Sequence, residues 1–146
     1  MMESLLSFNE IVTAVKGKVV LSDFYKSSFG DLCNFTNVQT DSRNVCKNSL
    51  FVPLVGEFQD GHKYVPGAVE AGASVVLINN SEYEKNASVY DDLCRNKGVL
   101  IICVENTLHA LQDAAEKYVS KFPNLTKISV TGSSGKTTTK ELLVSV

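Results

Sequence analysis

"LFVPLVGEFQDGHKYVPGAVEAGASVVLIN", residues 50–79, decides the architecture of this chain. Its first apolar run, "LFVPLV" (50–55), reads as a buried strand that ends at Gly56. Pro53 has no N–H for a ladder, so one edge of that strand is expected to be unpaired. Asp60-Gly61 marks a turn. Tyr64, Ala68, Val69 and Ala71 suggest a short helix with Pro66 in its first turn and Gly72 as its C-cap. "SVVLIN" (74–79) follows as a second strand. Strands alternating with helices point to an α/β arrangement.

The flanks extend the pattern. Upstream, Ser7 to Glu10 has the S-x-x-E form of a capping box, with Ile11, Val12 and Val15 at helical spacing, so a helix is expected over 7–15, ended by Gly17. "KVVL" (18–21) is a short strand candidate, and 22–35 has no clear period and reads as loop. "TNVQTDSR" alternates weakly and runs into a turn at Asn44. Downstream, 80–98 reads as a loop with a helical portion, and "VLIICV" (99–104) as a strand. "NTLHALQDAAEKYVS" is expected to be a helix capped by Asn106 or Thr107, with Leu108, Leu111, Ala115 and Val119 on its apolar face. The expected boundary lies at 104/105, giving one unit over 1–104 and the start of another over 105–146.

Composition narrows the function classes. The 146 residues are 44% hydrophobic and carry a formal net charge of −2, which suits one domain with a sizeable core. The 14 Lys/Arg are scattered and outnumbered by 16 Asp/Glu, so a nucleic-acid partner is not expected. No apolar run approaches the roughly 20 residues of a membrane span, and the N-terminus lacks a basic start before a long apolar stretch. Cys33, Cys46, Cys94 and Cys103 show no C-x-x-C spacing, which favours reduced structural thiols and a cytoplasmic protein.

The chemistry is concentrated at "ISVTGSSGKTTTKELLVSV" (128–146). A β-branched strand, a turn with Gly132 and Gly135, and a helix opening at Lys136-Thr137 form the context of a phosphate loop. Backbone N–H groups of Gly132, Ser133, Ser134, Gly135, Lys136, Thr137 and Thr138 can converge on phosphate oxygens at the helix N-terminus. Lys136 would reach the β/γ-phosphates of ATP and Thr137 would ligate Mg²⁺. Val130 stands where the longer G-x-x-x-x-G-K-[ST] pattern has glycine, so the match is to G-x-x-G-K-T. A solvated Gly/Ser turn is the bland alternative.

"VTGSSGKTTTKELL" resembles the ATP loop of the Mur ligases, which use this shorter form. "TDSRNVCKNSLFVPLVGEFQDGHKYVPGAVEAGASVVL" (40–77) is similar to the N-terminal domain of the same family. Two departures are "NVCKNSL", where a glycine commonly precedes the strand, and Pro53-Leu54, where Ala-Leu is usual. G-S-S-G-K-T followed by T-K-E is closest to the branch that joins D-alanyl-D-alanine to UDP-N-acetylmuramoyl-tripeptide. The branch that adds the third amino acid more often has G-T-N-G-K-T. A non-ligase P-loop nucleotide-binding protein is the remaining alternative.

The resemblance implies an α/β fold: a small mixed N-terminal domain followed by the first strand–loop–helix of an ATPase domain. It implies an ATP-dependent, ADP-forming ligase of peptidoglycan precursors working through an acyl phosphate, with Lys136 and Thr137 at the transferred phosphoryl group. It also implies a grip on the UDP moiety by Thr40, Asp41, Ser42 and Arg43 and by Asp60, Gly61 and His62. Arg43 suits a diphosphate because its fork binds oxygens bidentately. Asp41–Arg43 is equally readable as a turn held by its own hydrogen bonds, and His62 as a structural histidine beside a turn. No other side chains stand at metal-ligand spacing. The chain is expected to be a fragment, inactive alone and able to self-associate through an unfinished sheet edge, whereas the full-length enzyme is expected to be a monomer.

Overall fold

A computed structural model describes residues 3–145. Its sheet holds β1 (Lys18–Val19), β2 (Asn37–Gln39), β3 (Ser49–Phe51), β4 (Ala73–Asn79) and β5 (Leu100–Val104), in the order β1-β5-β4-β3-β2. Strands β2 to β5 run parallel and β1 pairs antiparallel with β5. The helices are α1 (Phe8–Ala14), α2 (Ser22–Phe29), α3 (Val65–Ala71), α4 (Asn80–Lys97), α5 (Thr107–Ser120) and α6 (Lys136–Val144).

The pleat sends alternate strand residues into two layers. Leu50, Val75, Leu77, Leu100, Ile102 and Val104 join Phe8 and Ile11 of α1 and Ala110 and Ala114 of α5. Phe51, Val76, Ile78, Ile101 and Cys103 meet Val65, Ala68 and Val69 of α3 and Tyr90 of α4. Both faces are covered, which is why the central strands are unbroken apolar runs rather than alternating ones. No described helix is long and apolar enough to cross a membrane.

The capping box of α1 is present, with Ser7 Oγ accepting from Glu10 N–H and Glu10 Oε2 accepting from Ser7 N–H. Gly72 closes α3 in the left-handed conformation. Residues 22–35 are not all loop, because 22–29 form α2. This helix starts without a side-chain cap; its buried residue, Tyr25, stacks on Phe8 at 6.2 Å between ring centroids, and Phe24 and Phe29 pack partly buried on the same core. A polar helix held by tertiary contact leaves little period in its sequence. The stretch 80–97 is helical on both sides of a kink at Asn86.

Strand β3 ends at Phe51 rather than Val55, and it lies between β2 and β4. Pro53 therefore marks the end of the ladder, not an unpaired edge. The buried face of α5 is Thr107, Ala110 and Ala114, and the expected Leu111 packs partly buried against the same core, while Leu108 and Ala115 are exposed. The expected leucine face is rotated because polar bonds fix the first turn: Thr107 Oγ1 donates to Pro53 O at 2.6 Å and its N–H to Asn79 Oδ1 at 3.0 Å. Helix α5 thus packs on the sheet through Ala110 and Ala114.

Residues 121–145 are all exposed. Helix α6 matches its expected start, but 128–130 form no strand, since no described strand lies alongside to share a ladder. Leu142 and Leu143 of this helix are exposed; Val146 lies outside the described residues.

Candidate functional site

Parallel strands carry their binding loops at the carboxyl ends, where successive loops sit side by side. The segment after β2 supplies Thr40 to Arg43, and the segment after β3 supplies Leu54 to Gly61. Between them lies a cavity of about 460 Å³ lined by Thr40, Asp41, Ser42, Arg43, Leu54, Gln59, Gly61 and Tyr64. That volume suits a small-molecule site.

One local device builds both walls. Asp41 Oδ1 accepts the backbone N–H of Arg43 at 3.0 Å, and Asp60 Oδ1 accepts that of His62 at 2.9 Å. Each is an Asx turn that opens a 3-10 turn, Ser42–Asn44 in one wall and Gly61–Tyr64 in the other. Each aspartate also binds the side chain two residues on.

At Arg43 the grip is bidentate, from Nε at 2.9 Å and Nη2 at 2.6 Å. The hydrogen bonds from the Arg43 side chain and backbone hold the Asp41 carboxyl down to about 2. Bonding to Asp41 in turn pushes the Arg43 guanidinium upward. The pair is solvent-exposed, with the Arg43 side chain 87% accessible. Asp41 engages Nε and Nη2, which leaves Nη1 for another acceptor on the cavity rim.

His62 is arranged differently. Its side chain is 2% exposed, Nδ1 lies 2.6 Å from Asp60 Oδ1, and Nε2 accepts the backbone N–H of Asn79 at 3.0 Å. An Nε2 that accepts leaves the proton on Nδ1, where it is donated to Asp60. Burial works against the Asp60 charge, but the His62 backbone N–H and ring outweigh it and keep that carboxyl below its usual range. Both ring nitrogens of His62, a residue expected in the grip on the UDP moiety, are bonded inside the protein. Of the seven residues expected at the UDP end, Thr40, Asp41, Ser42, Arg43 and Gly61 line the cavity; Asp60, which is exposed, and His62, which is buried, do not.

Three lining residues were not singled out in sequence. Leu54 reads as strand core, Tyr64 as a helix residue, and Gln59 as part of a turn. The Tyr64 hydroxyl donates to Gln59 Oε1 at 3.0 Å, and Lys63 Nζ lies 4.9 Å from the Tyr64 ring centroid. The available signal was the position of Gln59 and Tyr64 immediately around Asp60-Gly61-His62.

The glycine loop carries two glycines at positive φ. Gly132 (φ 151°) and Gly135 (φ 77°) adopt conformations closed to most side chains, and Gly135 is the N-cap of α6. No atom lies within 4 Å of where a Cβ of Gly135 would sit, so the loop is open on that side. Lys136 and Thr137 form the first turn of α6 and line a cavity of about 260 Å³ with Ile128, Val130 and Lys140. The donor set fits a triphosphate with Mg²⁺. Among the described residues, no cluster of His, Cys, Asp and Glu is arranged to hold a metal ion.

Comparison with known proteins bears on both features. The family model "Mur ligase family, catalytic domain" matches residues 34–119, which include the whole cavity. The UDP-N-acetylmuramoyl-tripeptide–D-alanyl-D-alanine ligase of Treponema pallidum is 43% identical over 138 residues, covering 94% of this chain and 28% of that protein. A UDP-N-acetylmuramoyl-L-alanyl-D-glutamate–2,6-diaminopimelate ligase of Clostridium tetani is 36% identical over 75% of this chain and 21% of its own length. A crystal structure of MurF from Acinetobacter baumannii superposes with a TM-score of 0.66 at 25% identity, over 95% of this chain and 26% of that one. The chain thus spans less than a third of the length of each of these proteins. With the family model matched over more than half of its residues, this chain belongs to the Mur ligase family.

Proposed function

We propose that this chain is the nucleotide-sugar-binding end and the ATP loop of an ATP-dependent, ADP-forming ligase that joins D-alanyl-D-alanine to UDP-N-acetylmuramoyl-tripeptide. The observation that carries the reading is the 43% identity to such a ligase across 94% of the chain. The cavity geometry supports it. Arg43 offers a fixed guanidinium to a diphosphate, while Thr40, Asp41 and Ser42 offer hydroxyl and carboxylate groups to ribose and uracil. Gln59 and Tyr64 close the opposite wall.

In this reading the packed unit through Ser120 grips the UDP end, and residues 121–145 begin the ATP-binding unit. Bound ATP with Mg²⁺ supplies the phosphoryl group that activates the tripeptide carboxylate for attack by the dipeptide amine. The part played by this chain would be positional and electrostatic: the backbone N–H groups of 132–138 would orient the phosphates, Lys136 would neutralise charge and Thr137 would hold the metal. The protein works in the cytoplasm, without nucleic-acid or membrane partners, and the full-length enzyme is a monomer.

The 146-residue chain by itself is proposed to be inactive, because the glycine loop is not seated on a sheet and α6 buries none of its residues. Calorimetry tests the binding half: UDP and UDP-N-acetylmuramoyl-tripeptide bind and GTP does not. Binding of GTP alone would sink the proposal. A coupled ADP-release assay tests the rest, with no turnover expected from the isolated chain.

A second reading is supported by the diaminopimelate-adding relatives, which match over 75% of this chain. It separates cleanly in the longer enzyme. ADP release with tripeptide and D-alanyl-D-alanine supports the first reading; release only with the UDP-linked dipeptide and a third amino acid supports the second.

A further inference from the structure

The ring of His62 ties one wall of the cavity to the end of β4. Residues 53–62 form the cavity wall that carries Leu54, Gln59 and Gly61. The wall closes on itself: Gly56 N–H donates to Gln59 O, Val55 bridges Asp60, and Gly61 N–H donates to Leu54 O at 2.9 Å. A Cβ on Gly61 would lie 2.9 Å from both the N and O of Leu54, so the two arms of the wall touch through backbone alone.

Both ends of this loop are tied to one place, the junction of β4 with α5. At its start, Pro53 O accepts from Thr107 Oγ1 at 2.6 Å in a buried bond. At its finish, His62 Nε2 accepts from Asn79 N–H at 3.0 Å. Asn79 Oδ1 accepts from Thr107 N–H at 3.0 Å and joins the two ties. Asn79 occupies the N-cap position of α4, yet its side chain makes no cap bond there. It is spent instead on the first turn of α5. A chain of buried polar groups with every partner satisfied specifies a single arrangement of what it connects.

We propose that His62 is a positioning residue of the nucleotide cavity: it never touches the ligand, and its Nε2–Asn79 bond sets the wall that does. The proposal rests on the cavity being the UDP site. It requires the tautomer with the proton on Nδ1, the arrangement the two partners impose.

The two halves of the imidazole can be removed one at a time. His62→Gln keeps an acceptor near the Nε2 position and gives up the Asp60 ring bond. His62→Asn keeps a donor near Nδ1 and leaves Asn79 N–H without its acceptor. The experiment measures UDP affinity by calorimetry on the full chain, at a temperature where each variant is shown to be folded. A buried donor left unpaired next to the wall is expected to raise the Kd for His62→Asn about tenfold, while His62→Gln stays within about twofold of wild type. Equal affinities in both variants and wild type, or equal losses in both, overturn the proposal, since a merely structural histidine would lower melting temperature without separating the two.

Thr107→Val provides the second arm should His62→Asn fail to fold. It removes the tie at Pro53 with little change of shape, and an unchanged Kd there also overturns the proposal. Failure of the wild-type chain to bind UDP refutes the cavity assignment itself and takes this inference with it. Binding by wild type with indifferent variants refutes this inference alone.

Discussion

The Asp41 carboxylate holds the Arg43 guanidinium 2.6 Å away, from Oδ2 to Nη2, on the rim of the cavity and in open solvent. An exposed pair of this kind adds little to folding, yet it fixes the direction of a side chain that otherwise samples many rotamers. Arg43→Ala is therefore expected to weaken UDP binding about tenfold or more by removing a charge-assisted donor, with the melting temperature nearly unchanged. Calorimetry beside a thermal melt checks both. A large fall in melting temperature would show that the turn itself depends on the pair.

Acid acts on the same turn. The Asp41 carboxyl has an unfolded reference of 3.8 and a folded value of about 2. A group depressed on folding contributes stability that is complete above the unfolded value and disappears as pH falls through the folded one. Asp60 is shifted in the same direction, with burial opposing and its bonds from His62 prevailing. Urea midpoints are expected to be level well above pH 4 and to decline only slightly between about 4 and 2, because solvent screens the exposed Asp41 pair. A midpoint that rises over that interval contradicts the assignment of both carboxylates.

Helix α6 and the sheet core should respond oppositely to substitution. Leu142 and Leu143 are 64% and 53% exposed, whereas Ile102 is fully buried. Replacing both leucines by Ser is expected to leave the denaturation midpoint almost where it was, and Ile102→Ala to cost about 2–5 kcal/mol. Hydrogen exchange gives a second view: amides of 121–145 exchange rapidly and those of β4 and β5 slowly. Strong protection in α6 of the isolated chain would sink the account given of it.

The thiols offer a test of burial without mutation. Cys46 is exposed, Cys94 and Cys103 are buried, and Cys33 is intermediate. Burial pushes the Cys33 thiol up to about 12 and the Cys103 thiol up to about 11. Only the thiolate attacks a disulfide reagent, so peptide mapping after brief treatment with an aromatic disulfide should find Cys46 labelled first. Labelling of Cys103 at a comparable rate would contradict the packing of β5.

Much of the framework is legible in residues 50–79 and 99–104. Runs such as "SVVLIN" and "VLIICV" are apolar without alternation, a pattern that suits strands covered on both faces. The capping box at Ser7 and the C-cap at Gly72 are local devices, set by contacts within a few residues, and both are formed. Helix α2 shows the opposite case. Its buried Tyr25 stacks on Phe8, distant in sequence, and nothing within 22–29 announces it. Leu108 is exposed for a related reason, since the rotation of α5 is set by Pro53 and Asn79 rather than by its own apolar residues.

The site divides along the same line. By itself the sequence determined the two aspartate turns and the glycine loop, because an Asx turn and a positive φ are decided by the residue and its nearest neighbours. Tertiary structure alone decided that Thr40 to Arg43 face Gln59 and Tyr64 across one cavity, and that His62 turns inward to Asn79. Those outcomes depend on which strands lie side by side and where their ends fall, and strand pairing joins residues far apart in the chain.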